Sequence, residues 1–234
     1  MNVLAISSSN SMSIKEYITE HLWENLSQTL KMVGLSALIA IFLGLIIGSI
    51  LFVTRKSKAK WLNVVYKVLD IIVNIFRSFP FAILIFFLVP FTREIMRALT
   101  GSGSAFGKQG AYVPLIIAAA PFFSKVIENA LIEVDDSVVE AATSLGLSQF
   151  QIMTRVVIRE ALPAIVSGIT LGIITLVGFS AMAGYIGAGG LGDFAYQYGI
   201  GNYNTDAIIY AVITIILLVQ IIQLLGNLVY KLVK

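Results

Sequence analysis

The chain contains no cysteine, only one histidine and few charged residues, and each of these shortages excludes a class of function. Without cysteine it can form no disulfide, thiolate metal site or thiol nucleophile, and His21 alone cannot anchor a metal cluster. Charged residues make up 12% of the 234 residues, whereas 58% are hydrophobic, and the mean hydropathy is +0.90. This leaves too little polar surface to cover a soluble globule. The composition therefore predicts an integral membrane protein.

Five apolar segments have about the 20 residues that a helix needs to cross the hydrocarbon core of a bilayer. They are residues 32–53, 68–90, 111–131, 164–184 and 207–230. The first, fourth and fifth carry no charge, whereas the second and third contain a few ionisable side chains. Because no internal repeat or linker divides the chain, we predict an all-α membrane protein of one domain, residues 13–234, after a disordered segment, residues 1–12.

The distribution of basic residues predicts the orientation of these spans. Residues 54–60 read TRKSKAK, with four basic residues and no acid, which is typical of a cytoplasmic loop. Five spans then place the N-terminus outside the cell, and the long loop 132–163 and the C-terminus in the cytoplasm. Ser13 and Glu16 form a capping-box pattern followed by apolar residues at helical spacing. This segment is either an amphipathic helix lying at the outer face of the membrane or an extension of the first span.

The long cytoplasmic loop is more strongly patterned than a simple connection between two spans requires. Ser137 and Glu140 form a second capping-box pattern, the run VVEAATSL predicts a short helix, and Gly146 stands where a helix-terminating glycine is expected. Ser148 is expected to cap a second helix that ends near Leu162-Pro163. The loop either presents a surface to a cytoplasmic partner or packs on itself as a hairpin.

The sequence of this loop, EAATSLGLSQFQIMTRVVIREALP, resembles the EAA loop of the permease subunits of bacterial ABC importers. The matching positions are Glu140, Ala141, Ala142, Gly146, Leu162 and Pro163. The resemblance implies a type I ABC importer-like permease whose loop forms a coupling helix, and this helix docks in a cleft of the ATPase. Small Ala141 and Ala142 permit close approach, and Glu140 can accept hydrogen bonds from backbone amides or meet a basic group. Ser137 belongs to the same predicted contact.

Three further stretches extend the resemblance, over most of residues 20–230, to the permeases of methionine importers. They are VNIFRSFPFAILIFFLVPFTR, APFFSKVIENALIEV and TLVGFSAMAGYIGAGGLGDFAYQYGIGNYN. The resemblance implies a multi-pass protein of the bacterial inner membrane that works as a homodimer. Its implied partners are two cytoplasmic ATP-binding subunits and an extracytoplasmic binding protein or lipoprotein, which delivers methionine in its D- or L-form, or an analogue. The partner subunits would bind ATP and magnesium, and nucleic acid is not an expected partner.

Two glycine patterns resemble nucleotide-binding motifs, and we reject both. Gly187, Gly189 and Gly192 satisfy G-x-G-x-x-G, but no strand is predicted before them, and in an outer loop they would instead permit tight turns that face the binding protein. Gly107-Lys108 resembles a phosphate-binding loop, but Ser102 stands where that motif needs glycine. We therefore expect this chain to have no ATPase motif, catalytic residue, cofactor or metal of its own.

Ionisable side chains inside the second and third spans need either partners or water. The second span carries a stripe of polar residues at three- and four-residue spacing: Lys67, Asp70, Asn74 and Arg77. An unpaired charge within a bilayer costs on the order of 2.5–3.5 kcal/mol on insertion scales. We predict that Arg77 pairs with Glu128 of the third span. The alternative is that these residues line a substrate or proton pathway.

The fourth span contains small residues around three large ones, a pattern typical of close helix packing. In a homodimer, a Met182 from each copy that faced the axis would close a pore with flexible, apolar side chains. We therefore predict Met182 as a gate, with Phe179, Ser180 and Tyr185 along the translocation path.

The predicted function is ATP-driven import by alternating access, in which closure of the partner ATPases moves the coupling helices and rocks the spans. The alternatives are an ABC permease for another small amino acid or polar solute, a secondary transporter, or a channel. Five spans without a paired inverted repeat argue against many secondary transporters. A passive channel gives no reason for a patterned docking loop.

Overall fold

The computed structural model describes residues 14–55, 57, 59–101 and 103–234, and the side chains of these residues apart from those of residues 14–20 and Gln149. The predicted disordered segment 1–12 and the first capping residue, Ser13, lie outside the described residues. Over the described part of the chain the fold is all-α and contains no strand. This confirms the predicted fold class.

The described part of the chain forms ten α-helices interrupted by short segments of other helical types. The α-helices are α1 (Ile14–Arg55), α2 (Lys60–Ser78), α3 (Phe81–Phe87), α4 (Val89–Thr100), α5 (Tyr112–Ile132), α6 (Asp136–Ser144), α7 (Gln149–Gln151), α8 (Ile158–Ala183), α9 (Gly190–Phe194) and α10 (Thr205–Val233). Two π-helical segments, Ile152–Val157 and Ala195–Gly201, precede α8 and α10, and a 3-10 turn, Gly184–Ile186, follows α8.

The helices of the described chain supply four spans by themselves and a fifth as a bent pair. Helices α1, α5 and α10, and the continuous helical stretch that contains α8, are each long and apolar enough to cross a membrane. Helices α2 and α3 pass the same test only together, with a bend of 106° between them. The expected number of about five spans is therefore confirmed.

The second span differs from the continuous segment 68–90 that the sequence predicts, because the helix breaks at Phe79-Pro80. Phe79 is extended, with φ −72° and ψ 126°. A residue that precedes proline is disfavoured in the helical region, since the proline ring collides with its backbone and Cβ. A new helix, α3, begins after Pro80 and runs in a different direction from α2.

The first span belongs to one unbroken helix, α1, of 42 residues. Of the two interpretations left open for the segment before residue 32, the structure supports an extension of the span. Helix α1 packs along α5 through Gly44 and Gly48, which form a G-x-x-x-G pair. A Cβ atom on Gly48 would lie 2.6 Å from the carbonyl oxygen of Ser124. The absence of side chains at these two positions lets the two helices approach closely.

The fourth span begins earlier than residue 164, because α8 continues through Pro163. The expected helix end at Leu162-Pro163 is therefore wrong: Pro163 lies inside α8. A proline inside a helix removes one backbone donor, and its ring collides with a carbonyl of the preceding turn. Packing compensates here, since Ala161 and Ile165 on either side of the proline are buried in the core. The π-helical turn at Ile152–Val157 joins α8 to the preceding loop.

At the other end of α8, the glycine-rich loop, residues 187–192, packs on α1. The side chain of Gln28 accepts a hydrogen bond from the Gly190 amide at 3.0 Å, and Thr29 accepts one from the Leu191 amide at 2.9 Å. Gly187 and Gly189 have φ of +73° and +75°, so the predicted tight turns are present. The first amides of α9 thus bind side chains of α1, and the structure gives this loop a role in helix packing.

Candidate coupling loop and translocation path

The predicted coupling helix is α6, and its N-cap is Asp135. The carboxylate of Asp135 accepts a hydrogen bond from the Ser137 amide at 2.7 Å, which corrects the expected capping by Ser137. Aspartate and serine are comparably good caps, and here Asp135 has the extended backbone of a cap and precedes the helix. Ser137 consequently lies in the first turn. The hydrogen bonds from Ser137 lower the pKa of Asp135.

Helix α6 ends at a glycine, as the sequence predicts. Gly146 has φ +79°, in the left-handed region that residues with a Cβ rarely adopt. Its amide donates to the Thr143 carbonyl at 2.9 Å, and the Leu147 amide donates to the Ala142 carbonyl at 3.3 Å. These bonds satisfy carbonyls at the C-terminal end of α6. The chain therefore reverses sharply at Gly146.

After the turn at Gly146 a second helix begins with a complete capping box, and we call α6, this turn and the start of the second helix the hairpin. The Gln151 amide donates to the Ser148 hydroxyl at 3.3 Å, while the Ser148 amide donates to the Gln151 side-chain oxygen at 2.9 Å. This confirms Ser148 as the cap of this helix. Both helices of the hairpin therefore have fixed starting points.

One side of the hairpin packs against the bundle, and the other side is exposed. Ala142 is buried with Ile127, Leu131, Ile152 and Val157, which fixes α6 to the end of α5 and to the π-helical segment before α8. The exposed side contains the predicted contact residues Ser137, Glu140, Ala141 and Gly146. Two large apolar residues are also exposed, Leu145 at 80% and Phe150 at 77%. The hairpin thus exposes large apolar side chains as well as the predicted contact residues.

The structure separates the last two predicted contact residues from this exposed surface. Leu162 and Pro163 are half-buried in α8. Pro163 lines a cavity of about 560 Å³ together with Asp135, Glu160 and Tyr230. Their place is therefore at the base of the hairpin, where α8 enters the bundle.

A second, largely apolar cavity of about 530 Å³ lies between the hairpin and the end of α1, lined by residues that include Phe52, Phe150 and Met153.

The predicted pairing of Arg77 with Glu128 is wrong. The Lys125 ammonium contacts Asp70 of α2 and donates to Glu128 at 2.6 Å, and Arg55 at the end of α1 lies 4.0 Å from the second oxygen of Glu128. Lys125 is three residues from Glu128 on the same helix face. Asp70 is thus the residue of α2 that lies beside Lys125, and Arg77 lies seven residues beyond it, about 10 Å further along α2. We call the group formed by Arg55, Asp70, Lys125 and Glu128 the ion cluster.

The polar residues beyond the ion cluster form a ladder along the surface of α2. Asn74 donates to Asp70 at 3.1 Å, Arg77 lies 3.5 Å from the Asn74 side-chain oxygen, and the Ser78 hydroxyl donates to the Asn74 carbonyl at 2.8 Å. Asn74, Arg77 and Ser78 are all exposed. The stripe that periodicity predicts is therefore present, but its outer part lies on an open surface.

The four residues predicted for the gate and path fall into two pairs. Met182 is 44% exposed, on a face of α8 that also includes Gly178, and Tyr185, in the 3-10 turn that follows α8, is 62% exposed. The Phe179 ring stacks on Phe81 of α3 with the ring centroids 4.6 Å apart. Ser180 is buried and donates to the Val177 carbonyl at 2.7 Å. The expectation that Ser180 lines the path is therefore corrected: its side chain points into the bundle.

A bundle that can span a membrane four or five times, with an exposed and doubly capped hairpin at one end, has the architecture of a membrane-embedded transport subunit. The chain belongs to the family of binding-protein-dependent transport system inner membrane components, whose sequence model matches residues 40–234. It is therefore a multi-pass inner-membrane permease component of an ABC importer. ATP hydrolysis in this family belongs to a separate subunit, so the permease itself is not catalytic.

Relatives of known description resemble the chain over most of its length. A Vibrio cholerae protein described as a probable D-methionine transport system permease is 41% identical over 200 residues, which is 86% of each chain. A Bacillus subtilis methionine import system permease is 41% identical over 184 residues, covering 79% of this chain and 80% of the relative. An inward-facing structure of the MetNI methionine ABC transporter has a chain that matches with a TM-score of 0.86 and 38% identity, covering 95% of this chain and 100% of that one.

Proposed function

We propose that this chain is the permease of an ATP-driven methionine importer, and that it takes D-methionine, L-methionine or close analogues from an extracytoplasmic binding protein. The similarity to relatives described as methionine permeases, at 41% identity over most of both chains, supports methionine as the substrate. The fold match at a TM-score of 0.86 to a methionine transporter chain supports the same assignment.

The exposed hairpin is the observation that carries the coupling mechanism. In the proposed complex, two copies of the chain form a homodimer, and each copy docks α6 and its exposed neighbours on one of two ATP-binding subunits. Glu140, Ala141 and Gly146 belong to this contact, with Leu145 and Phe150 as its apolar anchors. Large apolar side chains at the centre of a contact contribute most of its binding energy. ATP and magnesium are bound by the partner subunits.

The proposed orientation places the hairpin in the cytoplasm and the N-terminus outside. Arg55 and Lys60 flank the short connection between α1 and α2, and positive charge favours the cytoplasmic side. Arg55 lies beside Glu128 in the last turns of α5, and Phe52 packs against the core under α6. The basic connection and the hairpin are therefore at the same end. The C-terminus of α10 lies on the cytoplasmic side, and the glycine-rich loop lies outside.

The proposed passage runs between the two copies, along the exposed face of α8. Met182 and Tyr185 from each copy close it on the outer side, and Phe179 supports α8 from behind through its contact with Phe81. Because these side chains are apolar or uncharged, they can separate without breaking an ion pair. Closure of the ATPases would move the α6 hairpins and, through their shared core, the inner ends of α5 and α8.

The test is ATP-dependent uptake of labelled methionine into proteoliposomes that contain the chain, its ATPase and its binding protein. Wild type should import methionine, and Gly146→Trp should lose uptake because a bulky side chain and a strained backbone displace α6 from the ATPase. Gly101→Trp is the matched control, since Gly101 has φ +71° and equally open surroundings but follows α4.

Copurification of the ATPase with the permease separates loss of docking from loss of folding. Gly101→Trp should retain the ATPase, whereas Gly146→Trp should release it while the permease stays folded. A wild-type complex that hydrolyses ATP but ignores methionine would contradict the proposed substrate. Uptake that does not require ATP would contradict the proposed mechanism.

A further inference from the structure

Helix α2 is a membrane helix whose surface is mostly uncovered in the described structure. Only Val73 among its 19 residues is buried. One exposed face is apolar and includes Val68, Ile72 and Ile75. A neighbouring face holds the polar ladder of Asn74, Arg77 and Ser78, so two chemically different surfaces of α2 have no cover within the described chain.

The polar ladder lies within the depth of the apolar bundle. The Asp70–Lys125 contact fixes the position of α2 against α5, and α5 extends 13 residues from Lys125 to its other end at Tyr112, which is about 20 Å. Arg77 lies about 10 Å from Asp70 in the same direction. The Arg77 guanidinium therefore stands near the middle of the section that α5 spans. Such a charge needs a counter-charge or water.

The described structure supplies Arg77 with no counter-charge. Among the described residues, no carboxylate lies within 4.0 Å of Arg77, and its hydrogen bond is to Asn74 at the outer limit of 3.5 Å. Asp70, the nearest acid on its own helix, is already held by Lys125 and Asn74. The guanidinium thus keeps most of its donors available for an anionic group that arrives from outside the chain.

An open groove of about 620 Å³ adjoins the ladder where α2 meets α3. Its walls are mostly apolar, and its polar members come from the ladder; the lining residues are Ile71, Asn74, Ile75, Ser78, Phe79, Pro80 and Ile83. The groove exists because the chain bends by 106° at Phe79-Pro80. A surface with an apolar wall and a polar edge matches a small molecule that has an apolar chain and a charged head group.

We propose that Arg77 faces the translocation passage and binds the carboxylate of the amino acid in transit. In this subsite Asn74 and Ser78 form the polar edge, and the apolar wall of the groove accepts the substrate side chain. This inference rests on the proposed function, since it takes an amino acid as the cargo. A guanidinium presents paired donors that match both carboxylate oxygens. Binding at this point is transient, because the groove is open and Arg77 is exposed.

The first experiment tests whether the ladder faces water. The chain has no cysteine, so a single introduced thiol gives an unambiguous signal against the unmodified chain in the same complex. In nanodiscs, Ser78→Cys should react with a membrane-impermeant, cationic methanethiosulfonate at least tenfold faster than Val68→Cys, which lies on the apolar face. A thiol that faces lipid does not ionise and therefore reacts slowly. Equal rates at the two positions would show that the ladder faces lipid or the second copy, and would overturn the proposal.

The second experiment tests carboxylate recognition on the same thiol. Excess methionine should slow the labelling of Ser78→Cys severalfold, whereas methioninol, which lacks the carboxylate, should not. Adding Arg77→Gln should abolish this protection, and Arg77→Lys should retain part of it, because lysine keeps the charge but loses the paired geometry. Protection that is unchanged by Arg77→Gln, or equal protection by methioninol, would contradict carboxylate binding at Arg77.

Transport assays separate this inference from the proposed function. Arg77→Gln should lower methionine uptake at least tenfold while ATP hydrolysis and assembly stay near wild type, and Arg97→Gln should leave uptake within twofold. Arg97 is the matched control because it pairs with Glu94 on the exposed surface of α4. If wild type fails to import methionine, the proposed function is wrong whatever Arg77 does. If wild type imports methionine and Arg77→Gln does so within twofold, only the present inference is wrong.

Discussion

Lys125 lies between two carboxylates that come from different helices, and this position makes it the central residue of the ion cluster. Asp70 reaches it from α2, and Glu128 reaches it from the next turn of α5. Glu128 is only 1% exposed, and one of its oxygens has no hydrogen-bond partner in the described structure, with the Arg55 guanidinium 4.0 Å away from it. A buried carboxylate is tolerated only while its counter-charges remain.

Removing the central cation should therefore destabilise the permease. We expect Lys125→Gln to lower the free energy of unfolding by about 3 kcal/mol, because two carboxylates would then lose their common partner. Lys108→Gln is the control, since Lys108 meets Glu24 at 3.7 Å on an exposed surface. Such a surface pair contributes less than about 1 kcal/mol. Thermal unfolding of the purified complex in detergent measures both, and equal shifts would contradict a special role for Lys125.

The sequence predicts that ionisable residues of the second and third spans pair with one another, but it does not predict which of them do. Helical spacing alone places Asp70 and Arg77 on one stripe and places Lys125 within one turn of Glu128. The partner across the interface depends on how far one helix slides along the other and how it is rotated. Periodicity within a single helix carries no information on either quantity, so it cannot show which turn of α2 lies beside Glu128.

Helices α1 and α5 approach each other closely at Gly44 and Gly48. A Cβ atom at Gly44 would lie 2.5 Å from the Phe123 Cβ, and one at Gly48 would meet the Ser124 carbonyl. Gly34 lies in the same helix, but a Cβ there would meet nothing within 4 Å. One helix thus offers both a constrained and an unconstrained glycine for comparison.

The same substitution should consequently have opposite effects at two positions of α1. Gly48→Ala should destabilise the permease by about 1–3 kcal/mol, because the backbone of α5 must move to make room. Gly34→Ala should stabilise it by up to about 1 kcal/mol, because alanine favours the helix and meets no obstacle. The melting temperatures of the two variants and of wild type in one detergent measure both effects. A gain in stability for Gly48→Ala would contradict the close packing of α1 on α5.

Two prolines show why the sequence predicts the number of spans but not their course. Pro80 breaks its span and Pro163 does not, although both stand within apolar helical patterns. Before Pro80 the chain can leave the helix, since Phe79 is exposed and extended. Around Pro163, buried neighbours hold the helix together. Whether a proline breaks its helix depends on tertiary packing, and a hydropathy pattern carries no information on that packing.

At the level of the assembled transporter, the exposed face of α8 should bring two copies of Met182 together. We expect Met182→Cys to form a disulfide between the copies on mild oxidation. Thermal motion of residues beside a two-fold axis brings the two thiols together, and oxidation traps the pairs whose Cα separation falls in the roughly 4.4–6.8 Å range of a disulfide. Uptake of methionine should stop and should return after reduction. The measurement is the appearance of a band of twice the permease mass on a non-reducing gel.

Leu225→Cys serves as the comparison for this crosslink. Leu225 is similarly exposed but lies on α10, away from the face that holds Met182. It should remain monomeric under the same oxidation. Crosslinking of Leu225→Cys but not Met182→Cys would place α10 instead of α8 at the axis, and the gate would have to be assigned to other residues.

Helix α1 connects the two ends of the molecule without a break. Its 42 residues extend about 63 Å, roughly twice the thickness of the hydrocarbon core. About a third of the way along α1, Gln28 and Thr29 bind the glycine-rich loop, and at its C-terminal end Arg55 lies beside Glu128. A continuous helix has no hinge at which its ends can move independently. Any axial shift or tilt of α1 on one side of the membrane is therefore reproduced on the opposite side at the same moment.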